Sequence, residues 1–286
     1  MKRIDLNEWK QIGAGGNGKT YIPKDGSHEA ILKVCNGKGN TLESVRLEFE
    51  SAMECFKSGI PTPEPFEIVR VGKGYGTLSQ FIKNKRSLCR VCADNPERIG
   101  EMAALMAAKG NELHSEEYTG TLFQPASFHI RRGLKIFHPF LTGNEIAVIE
   151  QWIDSLPDSR TLLHGDFNPG NLIVSDSGTY WIDTGRMFYG DPLIDIAHLY
   201  YFAAAMSRTV IVQHLSHMSR IQLVTFWQEF LKSMGIESES DVSAYEAGLK
   251  KYVVLDIILR HSFKPSRLLV FLLSFQVRKI IKTQLH

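Results

Sequence analysis

The sequence predicts an α+β chain of two lobes, a small β-rich N-lobe over 1–82 and a larger, mostly helical C-lobe over 83–286. Turn-bounded segments of apolar-polar alternation dominate the first eighty residues, and from about residue 87 apolar residues recur at helical spacing instead. The one strand-like interruption of the second half is 161–183. A chain of 286 residues is long enough to give each lobe its own core.

Taken in order, "TYIPKDGSHEAILKVC" reads as a strand, a Lys-Asp-Gly turn and a strand through Ile31–Val34. A helix follows, capped by Asn40 or Thr41, with Leu42, Val45, Phe49, Met53 and Phe56 as its apolar stripe and Gly59 as its stop. "FEIVRVGKGYGTLSQFI" is a hairpin turned by Gly72–Gly76. Asn95-Pro96 opens a helix carrying Ile99, Met102, Met106 and Leu113. Another runs near Glu145–Leu156, and helices fill roughly 193–286, the last opened by Pro265. Within 161–183, "LIV", a Ser-Asp-Ser-Gly turn and "TYWID" form a β-hairpin.

Composition excludes several classes of function. Net charge is +2 with no basic run, which does not suit a nucleic-acid binder. "MKRIDLNEWK" has no apolar core of signal-peptide type, and "LLVFLLSFQV" is about half a membrane span, so a cytoplasmic protein without membrane contact is expected. Cys89 and Cys92 form a C-x-x-C with no second pair or nearby histidine, and no metal or redox role is expected of them.

"IGAGGNGKT" fits two phosphate-binding patterns. Gly13 to Thr20 matches the G-x-x-x-x-G-K-[ST] loop of P-loop NTPases, and Gly13, Gly15 and Gly18 match G-x-G-x-x-G. A P-loop or Rossmann loop must run into a helix, but Pro23 and Gly26 leave no room for one. A glycine turn inside a β-hairpin survives that test, with Lys19 on an exposed edge. Downstream, "AILK" places Lys33 fifteen residues past Gly18. "LLHGDFNPGNLIV" gives His164, Asp166 and Asn171, "YWIDTG" gives Asp183 and Gly185, and "GDPLIDIAHL" gives Asp191 and Asp195.

In this order these pieces resemble the aminoglycoside phosphotransferase and choline-kinase-like branch of the protein-kinase-like fold, over about residues 11–205. The resemblance implies a small-molecule kinase using ATP and Mg²⁺. Gly13, Gly15, Gly16 and Gly18 would close over the phosphates, and Lys33 would pair with the α- and β-phosphates. Glu48, eleven residues before Gly59, is chosen over Glu50 as the glutamate that holds Lys33. Asp166 resembles the catalytic base, while Asn171 and Asp183 resemble the magnesium ligands. His164 and Asp195 would organise the catalytic loop, Asp191 would cap a helix, and Ser79 to Ile82 would present backbone to adenine.

Only seven residues separate Asp183 from Asp191, which leaves no peptide-docking segment, and the H-G-D lacks the protein-kinase arginine. A small-molecule hydroxyl is therefore the expected acceptor. A polycationic one would need clustered acids, drawn from Glu229, Glu237, Glu239, Asp241, Glu246 and Asp256. A choline-like one would need an aromatic cage, for which Tyr189, Tyr200, Tyr201, Phe202 and Trp227 are available, although core packing is their expected role. Arg186 would suit an anionic substrate or a salt bridge. The alternative reading is a catalytically silent kinase-like nucleotide-binding module.

Overall fold

The computed structural model describes residues 1–15, 18–27, 29–35, 40–263 and 266–284. The glycine expectation at Gly16 and the helix-opening Pro265 lie outside them. The chain divides into two compact units, Met1–Ser87 with Asn171–Arg186, and Leu88–Gly170 with Met187–His286.

The first unit is built on a six-stranded sheet. Its strands are β1 (Arg3–Ile4), β2 (Trp9–Gly15), β3 (Gly18–Pro23), β4 (Ala30–Cys35), β5 (Pro65–Val71) and β6 (Gly74–Gln80). They lie in the order β1-β5-β6-β4-β3-β2, all antiparallel except for β1 beside β5. Leu32, Val69, Val71 and Leu78 form its buried core. Strands β2 and β3 pair as far as Gly15 opposite Gly18, and β3 runs on to Pro23 with no helix after Lys19-Thr20. A side chain at Gly18 would put its Cβ 2.5 Å from the Val34 carbonyl oxygen, so close strand approach requires glycine there.

Helix α1 (Leu42–Lys57) begins with Thr41 and Ser44 in a reciprocal capping box, and Gly59, at φ +80°, turns the chain away after it. It packs on β5 and β6. Its buried residues are Val45, Ser51 and Cys55, whereas Phe56 is exposed. The covered face is thus rotated from the predicted apolar stripe, because the polar Ser51 finds a buried partner: its Oγ donates to the Thr184 carbonyl at 2.6 Å.

Five short strands follow: β7 (Arg86–Ser87), β8 (Leu162–Leu163), β9 (Leu172–Ser175), β10 (Gly178–Trp181) and β11 (Phe188–Tyr189). The predicted hairpin is β9–β10, with β7 along the other edge of β9. Residues 162–163 pair instead with β11, in the second unit.

The helices of the second unit are α2 (Leu88–Asp94), α3 (Ile99–His114), α4 (Ala126–Phe137), α5 (Gly143–Asp154), α6 (Leu193–Tyr200), α7 (Val210–Ser216), α8 (Arg220–Ser233), α9 (Glu239–Phe263) and α10 (Arg267–Gln284). Helix α9 lies at the centre, with α4, α6 and α10 packed on it, and every residue from Tyr252 to Leu259 is buried. An apolar surface on all sides marks such a core helix. Gly133 lets α4 close on α9, since a Cβ there would sit 2.0 Å from the Ile258 carbonyl oxygen. Cys89 and Cys92 are buried on α2 without a disulfide, and burial pushes the Cys92 thiol up to about 12. Among the described residues no helix is long and apolar enough to cross a membrane.

His129 on α4 stacks on Phe263 with ring centroids 4.7 Å apart, and its buried Nδ1 has no hydrogen-bond partner among the described residues. Burial, with the nearby Arg132 charge, pushes its pKa down from 6.5 to about 4. A depressed pKa means that the neutral ring contributes stability in full above pH 6.5, and that this is lost as pH falls towards 4. The difference corresponds to about 3 kcal/mol. We predict that His129→Phe flattens the decline of urea-unfolding midpoint between pH 7 and pH 4.5. An unchanged pH slope would contradict this placement of the ring.

Candidate active site

The predicted site residues fall into two clusters, one in each compact unit. In the first, Lys33 extends from β4, Glu48 from α1, and Asp183 follows β10. Lys33 Nζ donates to Glu48 Oε1 and to Asp183 Oδ1, both at 2.6 Å. Burial alone would lower the lysine's pKa, but the Asp183 and Glu48 carboxylates outweigh it and raise the value, so the ammonium is held charged. Cys35 Sγ also approaches Glu48, at 3.7 Å from Oε2. Glu48, not Glu50, is therefore the glutamate that meets Lys33.

Strand register explains why one lysine joins this cluster and the other does not. Thr20 pairs with Lys33 while Lys19 pairs with Val34, so Lys19 leaves the sheet on the face opposite Lys33. Lys19 is exposed, although β3 is an interior strand rather than the predicted edge.

Several contacts fix the Asp183 segment. The Trp181 amide donates to the Pro61 carbonyl at 2.7 Å, and the Ile182 amide to the Asn171 carbonyl at 2.9 Å. Asp183 itself has φ +57°, a left-handed conformation that a short polar side chain tolerates. Gly185 leaves room for α1, since a Cβ there would lie 2.9 Å from Glu48 Cγ. Asn171 is buried beside this segment. Half-buried Lys85, which carries no sequence motif, feels the same carboxylate: burial lowers its pKa and Asp183 partly offsets that.

Among the described residues no group of three or more His, Cys, Asp or Glu could hold a metal alone. One carboxylate and one amide oxygen, from Asp183 and Asn171, fit magnesium, which takes hard oxygens and draws its other ligands from phosphate and water.

In the second unit, the loop 164–170 is organised by Asp195 on α6. Its Oδ2 accepts from the His164 amide at 2.7 Å and its Oδ1 from the Gly165 amide at 3.0 Å. His114 Nε2 lies 3.0 Å from Oδ2. Burial would raise the Asp195 pKa, but the bonds from His114 and the loop amides lower it. His164 is fully buried, and its Nδ1 accepts from the Asp166 amide at 3.3 Å. Gly165 takes φ +75°, the turn that presents Asp166. Asn168 Nδ2 donates to the Asp166 carbonyl at 2.9 Å, and the Cys89 amide to the Pro169 carbonyl at 3.1 Å. Asp191 holds the start of α6, accepting from the Leu193 amide at 3.0 Å and from the Tyr252 hydroxyl at 2.7 Å.

Two residues without an assigned role in the sequence, Arg260 and His198, meet Asp166, and Asp256 stands behind His198. Arg260 Nη1 donates to Asp166 Oδ1 at 3.0 Å, His198 Nε2 lies 3.3 Å from the same oxygen, and His198 Nδ1 lies 3.0 Å from Asp256 Oδ2. Arg260 Nη1 is also 3.0 and 2.9 Å from the two ring nitrogens of His198, near-equal distances that place it over the ring face. Burial and Arg260 would lower the His198 pKa, but Asp256 and Asp166 raise it. The sequence placed these residues on helices within 193–286, but the pairing of Arg260 and His198 with Asp166 was not visible in it.

Several of the acids and aromatics proposed for substrate binding are already engaged by other parts of the protein. Asp256 is buried, Glu246 accepts from Trp227 Nε1 at 2.8 Å, and Asp241 accepts from the Ser238 hydroxyl at 2.6 Å. Trp227 stacks on Phe230 in the core, and Tyr189 carries Arg160 over its face at 4.6 Å.

Residues 8–216 match the model of the phosphotransferase enzyme family. No curated protein matches the chain. Among solved structures, a thermostable mutant of the aminoglycoside phosphotransferase APH(4)-Ia aligns with a TM-score of 0.62 at 14% identity, covering 96% of this chain and 94% of that one. A choline/ethanolamine kinase family protein from Mesorhizobium loti aligns at 0.57 and 14%, covering 96% and 87%. The amicoumacin kinase hAmiN, solved with AMP-PNP, Ca²⁺ and Ami, aligns at 0.57 and 14%, covering 99% and 90%. These likenesses carry the two-lobed protein-kinase-like fold. With the family model matched over most of its length, the chain belongs to the phosphotransferase enzyme family.

Proposed function

We propose that the protein transfers the γ-phosphoryl group of MgATP to a hydroxyl of a small molecule. The observation that carries this reading is Lys33, held charged between Glu48 and Asp183 in a sheet whose glycine hairpin has the kinase-type setting. Phosphoryl transfer asks a protein mainly for positioning and charge neutralisation, and a fixed ammonium beside backbone donors suits a triphosphate.

In this reading Lys33 pairs with the α- and β-phosphates, the glycine hairpin covers them, and Glu48 keeps the lysine in place. Asp183 and Asn171 would hold Mg²⁺, which would supply charge neutralisation for the transferred phosphoryl group. Asp166 accepts the proton of the acceptor hydroxyl as its oxygen attacks phosphorus. His164 and Asp195 position the loop that carries Asp166. The seven-residue interval between Asp183 and Asp191 supports a small acceptor over a peptide.

The test is ADP formation with MgATP across a panel of hydroxylated acceptors. Asp166→Asn is expected to lower turnover by roughly 10²–10⁴-fold, the usual share of a general base, while MgATP binding is retained. Asp183→Asn is expected to weaken MgATP binding together with turnover. An Asp166→Asn variant with full activity would overturn the assignment. A wild-type protein whose melting temperature ignores millimolar MgATP would overturn the whole reading.

A further inference from the structure

The cluster around Asp166 contains a cation that the transfer reaction as proposed does not use. Asp166 and Asp256 bring two negative charges, and Arg260 and His198 two positive charges when the imidazole is protonated. Asp256 and His198 are almost fully buried, at 2% and 6% side-chain exposure, whereas Asp166 at 21% and Arg260 at 28% are within reach of a ligand. Arg260 engages Oδ1 of Asp166, the carboxylate read as the base, which Asn168 Nδ2 also approaches at 3.4 Å.

Charge counting indicates what relieves this arrangement. When Asp166 takes a proton it no longer balances Arg260. The buried Asp256 is then left facing both the guanidinium and the imidazolium, a surplus of one positive charge in a poorly solvated setting. A polycationic acceptor would add to that surplus. An acceptor with an oxyanion near its reacting hydroxyl would cancel it, and would draw the guanidinium off Oδ1 as the hydroxyl arrives. Arginine suits this task because its planar fork meets carboxylate and phosphate oxygens in pairs.

We propose that Arg260 is a specificity-determining residue that seats a carboxylate or phosphate group of the acceptor beside Asp166. This rests on the reading of Asp166 as the base, but the oxyanion site itself can be tested without turnover. Tyr201, whose hydroxyl donates to Gln276 Oε1 at 2.9 Å, stands in the short π-helical turn Tyr201–Ala205 that continues α6 just past His198. Such turns recur where a helix is shaped around a ligand.

The experiment measures binding of malonate and, separately, inorganic phosphate to the full chain by calorimetry, with ionic strength held constant with sodium chloride. Both the wild type and Lys33→Ala are used, so that any phosphate bound at the nucleotide lysine is recognised. Malonate binding reports a carboxylate seat, and phosphate binding that survives Lys33→Ala reports a phosphate seat. Arg260→Gln is expected to weaken the Arg260-dependent binding by at least about tenfold, the usual loss on removing a hydrogen bond to a charged group. Arg260→Lys should recover part of it, and Asp166→Asn should tighten it several-fold by removing the competing carboxylate. A purely structural Arg260 would leave the same tightening in the Arg260→Gln background, whereas a seating Arg260 would abolish it there. Absence of binding of either anion, or binding indifferent to Arg260→Gln and Asp166→Asn, would overturn the inference. ADP formation with kanamycin or choline but not with gluconate or glucose 6-phosphate would overturn it while leaving the transfer reaction standing. ADP formation with gluconate or glucose 6-phosphate in preference to glucose would support it.

Discussion

Lys33 between Glu48 and Asp183 is the interaction on which the first unit is organised. It joins β4, α1 and the segment after β10, three elements far apart in sequence, through two contacts of 2.6 Å. The three side chains keep between 23% and 40% of their surface exposed, so the pair energies are well below those of a dry ion pair. Their value is positional. An ammonium fixed by two carboxylates cannot wander, and each carboxylate is in turn held by its own surroundings. Ser51 ties α1 to the Thr184 carbonyl, and Gly185 gives Glu48 the space that any side chain would occupy.

The second unit solves a different problem, which is to hold a carboxylate at the end of a loop. Buried Asp195 satisfies two consecutive loop amides and a histidine, so the backbone at 164–165 has one geometry. The loop's apolar side is set by Phe167, which packs on Gly110 so closely that a Cβ there would fall 2.7 Å from its ring. Asp166 then projects towards α6 and α9, which supply His198, Asp256 and Arg260. At these separations the Asp166 and Asp256 carboxylates raise the pKa values of both His198 and Arg260 against the effect of burial.

Much of this was legible in the sequence because the chemistry demands particular residue types at short spacing. His164, Asp166, Asn171 and Asp183 lie within one loop and the hairpin after it, and Gly165 marks the turn between the first two. The Glu48 choice rested on its distance of eleven residues from Gly59, which matches the spacing of the resembled family. Residues brought in from far along the chain were not legible. Arg260 lies 94 positions after Asp166, on a helix where a lone arginine reads as a solvated residue, and Asp256 read as one of several scattered acids. Strand pairing was also hidden: nothing local shows that 162–163 joins β11, or that Lys19 lies on an interior strand. Register, which the flanking pairs of β3 and β4 fix, decides that Lys33 and not Lys19 shares a face with the carboxylates.

The most direct test of this account compares MgATP binding by the wild type, Lys33→Ala and Lys19→Ala by titration calorimetry. Lys33→Ala should weaken binding by at least about tenfold, the usual loss on removing a hydrogen bond to a charged group. Lys19, exposed on the opposite face of the sheet, should be replaceable with a change of no more than about threefold, the scale of a solvated surface charge. A Lys19→Ala variant that loses MgATP while Lys33→Ala keeps it would contradict the account.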